Sequence, residues 1–174
     1  MDYQIKGLKT FNGMDGGGYE CNIYRDKAKV GTAMNEGSGG CDFFHFTSRE
    51  QEAAFEEAAA KWYETSRSKT DWENWSKEHS LSPDVSNQHK MESWVSETMS
   101  SMEEQKRLKR ISKGKTLFRL KGDEDGVWRT IGQVGQRVVD HIVKEHGEQL
   151  EQIYGAQLPS VLGTATSAPG ALSF

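Results

Sequence analysis

The sequence predicts an α+β fold: an N-terminal four-stranded antiparallel meander packed with helices, then a second β-hairpin and a C-terminal helix. Three observations carry this. Residues 3–46 alternate strand-like runs with two glycine clusters and one charged turn. Residues 47–112 repeat apolar side chains at helical spacing. Residues 113–155 place two short β-type runs around a glycine-bounded acidic turn, followed by one more amphipathic helix.

The four runs of the meander are Tyr3–Thr10, Tyr19–Tyr24, Lys29–Met34 and Cys41–Phe46. In the first, Tyr3 and Ile5 alternate but Leu8 is out of phase, so a bulge at Gly7 is expected. The second puts Tyr19, Cys21 and Ile23 on one face, and Arg25-Asp26-Lys27 turns the chain into the third. The fourth carries aromatics on both faces, with helices covering one side.

Ser48-Arg49-Glu50-Gln51 has the capping-box pattern and opens a helix whose apolar side is Phe55, Ala58, Ala59 and Trp62. Ser66–Thr70 interrupts it, and a second short helix begins at Asp71 with Trp72 and Trp75 three apart. Ser80–Asp84 is a linker, and a third helix runs from about Val85 to Ser112. Thr116–Leu120 and Val127–Ile131 form the second hairpin. Gly135–His146 is helical with Gly147 as its C-cap, and Glu148–Tyr154 is expected to add two more turns. The expected organisation is one domain over 1–155 (meander 1–46, helices 47–112, hairpin plus helix 113–155), with 156–174 as a flexible tail.

The chain has 174 residues, a net charge of -4 and a mean hydropathy of -0.77. Hydrophobic residues make up only 34%, so a modest core depends on the seventeen aromatics. No apolar run approaches the roughly 20 residues that span a bilayer, and Met1-Asp2-Tyr3-Gln4 has no signal-peptide character. A cytoplasmic chain without membrane partners is expected, with Cys21 and Cys41 as free, partly buried thiols and a disulfide as the alternative.

Two segments are candidate binding sites. In an antiparallel meander the first and third connections lie at the same end of the sheet. The glycine loops 12–18 and 35–40 should therefore form one flexible rim of exposed N–H groups, with Asp15, Gly16, Gly17, Gly18, Asn35, Gly39 and Gly40 as its members. It is neither a Walker loop nor a dinucleotide fingerprint, and tight turns alone also call for glycine.

The second segment is basic. Lys106, Arg107, Lys109, Arg110, Lys113, Lys115, Arg119 and Lys121 fall within sixteen residues that hold no acid. Such a run suits phosphates or an acidic protein surface, or it is a solvated helix face balanced by Glu103, Glu104 and Asp123–Asp125. Arg119 lies in a strand, where pairing with a carboxylate is equally expected.

No catalytic constellation emerges, and neither a cofactor nor a metal is expected. His141 and His146 are five apart, which puts them on different helix faces, and Cys21 with His45 lacks a third, orienting group. Trp62, Trp72, Trp75 and Trp94 are expected in the core; if Trp72 or Trp75 is exposed, it becomes an interface anchor.

Gly7-Leu8-Lys9-Thr10-Phe11-Asn12-Gly13, the glycine-rich turn after it, Tyr19, Ile23-Tyr24, Lys29-Val30 and Gly39-Gly40 resemble a group of small accessory proteins of tailed bacteriophages. Lys115-Thr116-Leu117-Phe118-Arg119-Leu120 and Gly126-Val127-Trp128-Arg129-Thr130 match the same group and are the more specific pair of motifs. The resemblance covers most of residues 3–154. It implies a phage or prophage origin and a role inside the bacterial host cell. Accessory phage proteins of this size often act by binding a host enzyme or a bacterial immunity complex, and the resemblance implies the same here. The function expected is therefore non-enzymatic inhibition of a host-defence or host-takeover target. The alternatives are a nucleic-acid-binding module using residues 106–121 and a sponge for a nucleotide signal.

Overall fold

The computed structural model describes residues 2–155; the predicted flexible tail, 156–174, lies outside the described residues. The fold is α+β, with four helices, a four-stranded antiparallel sheet and a separate three-stranded sheet. The chain divides into two compact units, residues 1–103 and 104 onward. The division falls within the helix Asn87–Ile111, here α3.

In the first unit, β1 (Tyr3–Asn12), β2 (Gly17–Arg25), β3 (Ala28–Asn35) and β4 (Phe43–Phe46) pair in sequence order, each antiparallel to the next. The bulge is where the slipped alternation put it: Gly7 has φ +63°, and pairing skips from Lys6↔Asn22 to Lys9↔Glu20. Asp26, at φ 55°, turns β2 into β3. β1 and β2 run further than the sequence predicts, because Phe11↔Gly18 and Asn12↔Gly17 extend the ladder into the first glycine loop. β4 starts later, at Phe43, so Cys41 precedes the sheet and is exposed, while Cys21 is buried; both are free thiols.

One face of this sheet carries Tyr3, Ile5, Tyr19, Cys21, Ile23 and Ala33 into the core. The other face pairs Lys9 with Glu20, Glu20 with Met34 and Met34 with Phe43, and Phe43 is 58% exposed. Helix α1 (Arg49–Tyr63) lays Phe55 and Ala59 on the inner face. Phe55 is fully buried among the rings of Tyr3, Phe44, Phe46 and Trp94, at centroid distances of 5.0–6.2 Å.

Ser48 caps α1 by accepting from the Gln51 N–H, but the reciprocal half of the capping box is missing, since buried Gln51 Oε1 has no partner. Helix α2 (Arg67–Glu78) begins four residues earlier than expected because Ser66 is its N-cap, accepting from Lys69 N–H. The serine that breaks the apolar period is thus the start of the next helix rather than a loop. Ser86 performs the same service for α3, accepting from the His89 N–H at 3.2 Å. Met91, Trp94 and Val95 are the α3 residues buried in this core.

In the second unit, β5 (Thr116–Leu120) pairs with β6 (Arg129–Ile131) as the expected hairpin. Val127 and Trp128 fall outside β6, and Val127 is exposed. Helix α4 (Gln136–His146) ends at Gly147, φ 48°, as its glycine predicts. The two further helical turns expected over Glu148–Tyr154 do not form. A single 3-10 turn, Gly147–Gln149, leads into β7 (Leu150–Ile153), which pairs with the second edge of β5. Lys121 N donates to Gln149 O and Tyr154 N to Leu117 O at the two ends of this pairing. Leu150 and Ile153 are each 2% exposed beside Ile142, so an unpaired strand edge and its apolar cluster outweigh local helix preference.

Candidate functional site

The two glycine loops do meet. Asp15 N–H donates to Gly37 O at 2.9 Å, and Gly13 N–H donates to Gly16 O at 2.7 Å. A Cβ on Gly13 would lie 2.3 Å from Glu36 O, and one on Gly37 would lie 2.7 Å from Gly16 O. Gly18 is buried beneath the Phe11 ring. These three glycines allow the two backbones to touch. Gly16, Gly17, Gly39 and Gly40 are exposed, with nothing but Ser38 Oγ near any Cβ position. The N–H groups of Gly13, Asp15 and Gly37 are spent within the rim, so the anion-facing array expected there is much reduced.

Behind the rim lies a polar cluster that sequence reasoning did not find. The Tyr19 hydroxyl donates to Asp42 Oδ2, and Asn35 Nδ2 donates to Asp42 Oδ1 (2.8 Å) and Gly40 O (3.1 Å). Asp42 N–H donates to Glu92 Oε1 at 3.0 Å, and Gln88 Nε2 bonds both Asp42 O and Glu92 Oε1. Burial raises the Asp42 carboxyl above its usual range, against the lowering effect of the Tyr19 and Asn35 hydrogen bonds. Burial, then Asp42 itself, holds the Tyr19 hydroxyl firmly protonated. The cluster ties the second glycine loop to α3, and Asn35, singled out as a rim residue, is its hinge.

The basic run separates into two groups. Arg107 is structural: it forks onto Glu104 (2.6 and 2.8 Å) and donates to Gly126 O at 2.7 Å. Arg119 is only 15% exposed, 3.6 Å from Asp125 and 3.7 Å from Glu151. Lys106, Lys109 and Arg110 project from one side of the end of α3, opposite buried Leu108, and Lys113 and Lys115 continue the exposed charge through the following turn. Lys106, Arg110, Lys113 and Lys115 have no ion-pair partner among the described residues.

The tryptophans also divide. Trp94 is buried and Trp62 packs partly against the same core, but Trp75 is 44% exposed. Its expected core role is therefore corrected: α2 covers the unit with Ser76, 1% exposed, and turns Trp75 outward. Trp72 and Trp75, with Ser68, Asp71, His89 and Ser93, line an open depression of about 300 Å³.

Other sequence candidates fall apart in space. Cys21 is on the inner face, whereas His45 pairs with Thr32 on the outer one. Burial pushes the Cys21 thiol up to about 11. His141 faces Glu145 at 3.0 Å, while His146 stacks on Phe118 at 5.1 Å. Among the described residues no three metal-ligating side chains converge, and no helix is long and apolar enough to cross a membrane. No protein-family model, curated protein or solved structure matches the chain.

Proposed function

We propose that this chain is a non-catalytic accessory protein of a tailed bacteriophage, acting in the bacterial cytoplasm by binding an acidic surface of a host protein or immunity complex. The contact would be the cationic face of Lys106, Lys109, Arg110, Lys113 and Lys115. One observation carries the reading: with Arg107 and Arg119 held in internal pairs, Lys106, Arg110, Lys113 and Lys115 stay exposed with no ion-pair partner among the described residues, and exposed Lys109 lies next to them in sequence, in a chain whose net charge is -4. Folding does not require them, because exposed like charges repel little in salt and pair for little gain. An acidic partner supplies the missing counter-charge and steers association.

The test is capture from bacterial lysate with the wild type and with Lys106→Gln/Lys109→Gln/Arg110→Gln/Lys113→Gln, followed by titration of the captured protein after purification. The expected result is one acidic protein that binds the wild type and is lost by the variant. Equal capture by both would defeat the reading. The same face would also suit a phosphate chain. In that case the chain should bind a mixed-sequence oligonucleotide with an affinity falling steeply between low and moderate salt. A nucleotide sponge built on the rim draws less support, since three of its donors point inward.

A further inference from the structure

The depression between α2 and α3 has a chemistry of its own. Trp72 and Trp75, three apart on α2, hold their rings 5.2 Å apart at 32°, and His89 from α3 lies 5.0 Å from Trp72. Each ring is held in place from outside the depression. Trp72 Nε1 donates to Pro83 O at 3.1 Å; His79 stacks on Trp75 at 4.4 Å and donates its Nδ1–H to Trp75 O at 2.8 Å; Tyr63 meets His89 edge-on at 6.0 Å. The aromatic shelf is thus preorganised yet open.

Charge decides what it fits. Asp71 is the one carboxylate in the lining, and Glu97 stands behind Ser68, accepting from its N–H and hydroxyl. The neighbouring cation is Arg67, whose Nε lies 3.3 Å from Asp71 Oδ2 with both side chains more than 60% exposed, an arrangement that exchanges readily with solvent or ligand. Indole faces attract cations through the ring quadrupole. The two indoles are tilted by 32°, and the depression is open to solvent; a flat guanidinium can stack on such an aromatic pair and turn its N–H edge to a carboxylate, whereas a compact ammonium needs walls on several sides.

We propose that this depression is a docking site for an arginine side chain on an exposed segment of a partner protein, the guanidinium stacking against the Trp72–Trp75 pair and pairing with Asp71. The site lies wholly within residues 1–103 and is independent of the cationic face.

The test follows the indole N–H signals of the 15N-labelled full chain during titration with acetyl-Gly-Arg-Gly-amide. Controls are the same peptide with citrulline or lysine in place of arginine, and free arginine. Saturable shifts of the Trp75 and Trp72 signals are expected with the arginine peptide, at least about fivefold weaker with lysine. Citrulline should give none, because it keeps the shape and loses the charge. Free arginine should bind more weakly than the peptide, its carboxylate being repelled by Asp71. Trp75→Leu should abolish the saturable shift of Trp72, and Asp71→Asn should weaken binding about threefold. Both positions are exposed, so unchanged spectra elsewhere will verify the fold. Absence of saturation, equal binding of citrulline or lysine, tighter binding of free arginine, or indifference to Trp75→Leu would each overturn the proposal.

Discussion

Gly13→Ala tests the contact between the two glycine loops most directly. The new Cβ would lie 2.3 Å from Glu36 O, 2.5 Å from Gly37 O and 2.6 Å from Gly37 Cα. All three are backbone atoms of the facing loop, so no side-chain rotation relieves the clash. Since Cβ atoms essentially never come within 3.0 Å of such atoms, the loops must part by at least about 0.7 Å. That movement stretches the Asp15 N–H···O=C Gly37 bond from 2.9 Å to about 3.6 Å, beyond hydrogen-bond reach. The lost bond costs about 1 kcal/mol and the residual overpacking about 1–3 kcal/mol, so stability should fall by about 2–4 kcal/mol. Gly16→Ala, on the same loop, has nothing within 4 Å of its Cβ position and no left-handed φ. It should be neutral or stabilise by up to about 1 kcal/mol, through the lower entropy of the unfolded chain. Urea unfolding followed by tryptophan fluorescence is the assay, because four of the five tryptophans lie in residues 1–103. A Gly13→Ala protein within about 0.5 kcal/mol of wild type, or a Gly16→Ala protein equally damaged, would refute the interlocked rim.

Phe55→Ala should cost about 3–5 kcal/mol in the same assay, since four rings would be left facing a cavity. The Lys106, Lys109, Arg110 and Lys113 glutamine variant should unfold within about 1 kcal/mol of wild type, whereas Arg107→Gln should be measurably less stable, because it strands Glu104 and Gly126 O. Thiol labelling of the native protein should be biphasic, Cys41 reacting first and Cys21, buried and held up to about 11, waiting on unfolding. Asp123 is held down to about 2 by Arg129 and the Leu120 N–H. A depressed folded pKa means that the unfolded chain takes up the proton first as the pH falls. The stability it contributes is therefore complete above about pH 4, is lost between there and about pH 2, and Asp123→Asn should flatten that part of the acid-unfolding profile.

The meander, its bulge and most helix limits were legible because each is a local event. Period-two alternation, the slip before Leu8, the serine at position 48 and Gly147 act through neighbours within a few residues. The rim was legible one level up, since antiparallel order alone brings alternate turns together. What escaped depends on partners far along the chain. Glu148–Tyr154 has the composition of a helix, and only the vacant edge of β5 made it a strand. The Tyr19–Asp42–Glu92 cluster joins residues 23 and 50 positions apart, with no shared motif to announce it. Trp75 and Trp94 both sit at helical spacing, yet one faces solvent and the other the core, because spacing defines a face and tertiary packing decides which face is buried. The same holds for the basic run. Sequence placed eight cations together, and the fold drew Arg107 and Arg119 into internal pairs while leaving a cationic face exposed, since only three-dimensional neighbours can supply or withhold a counter-charge.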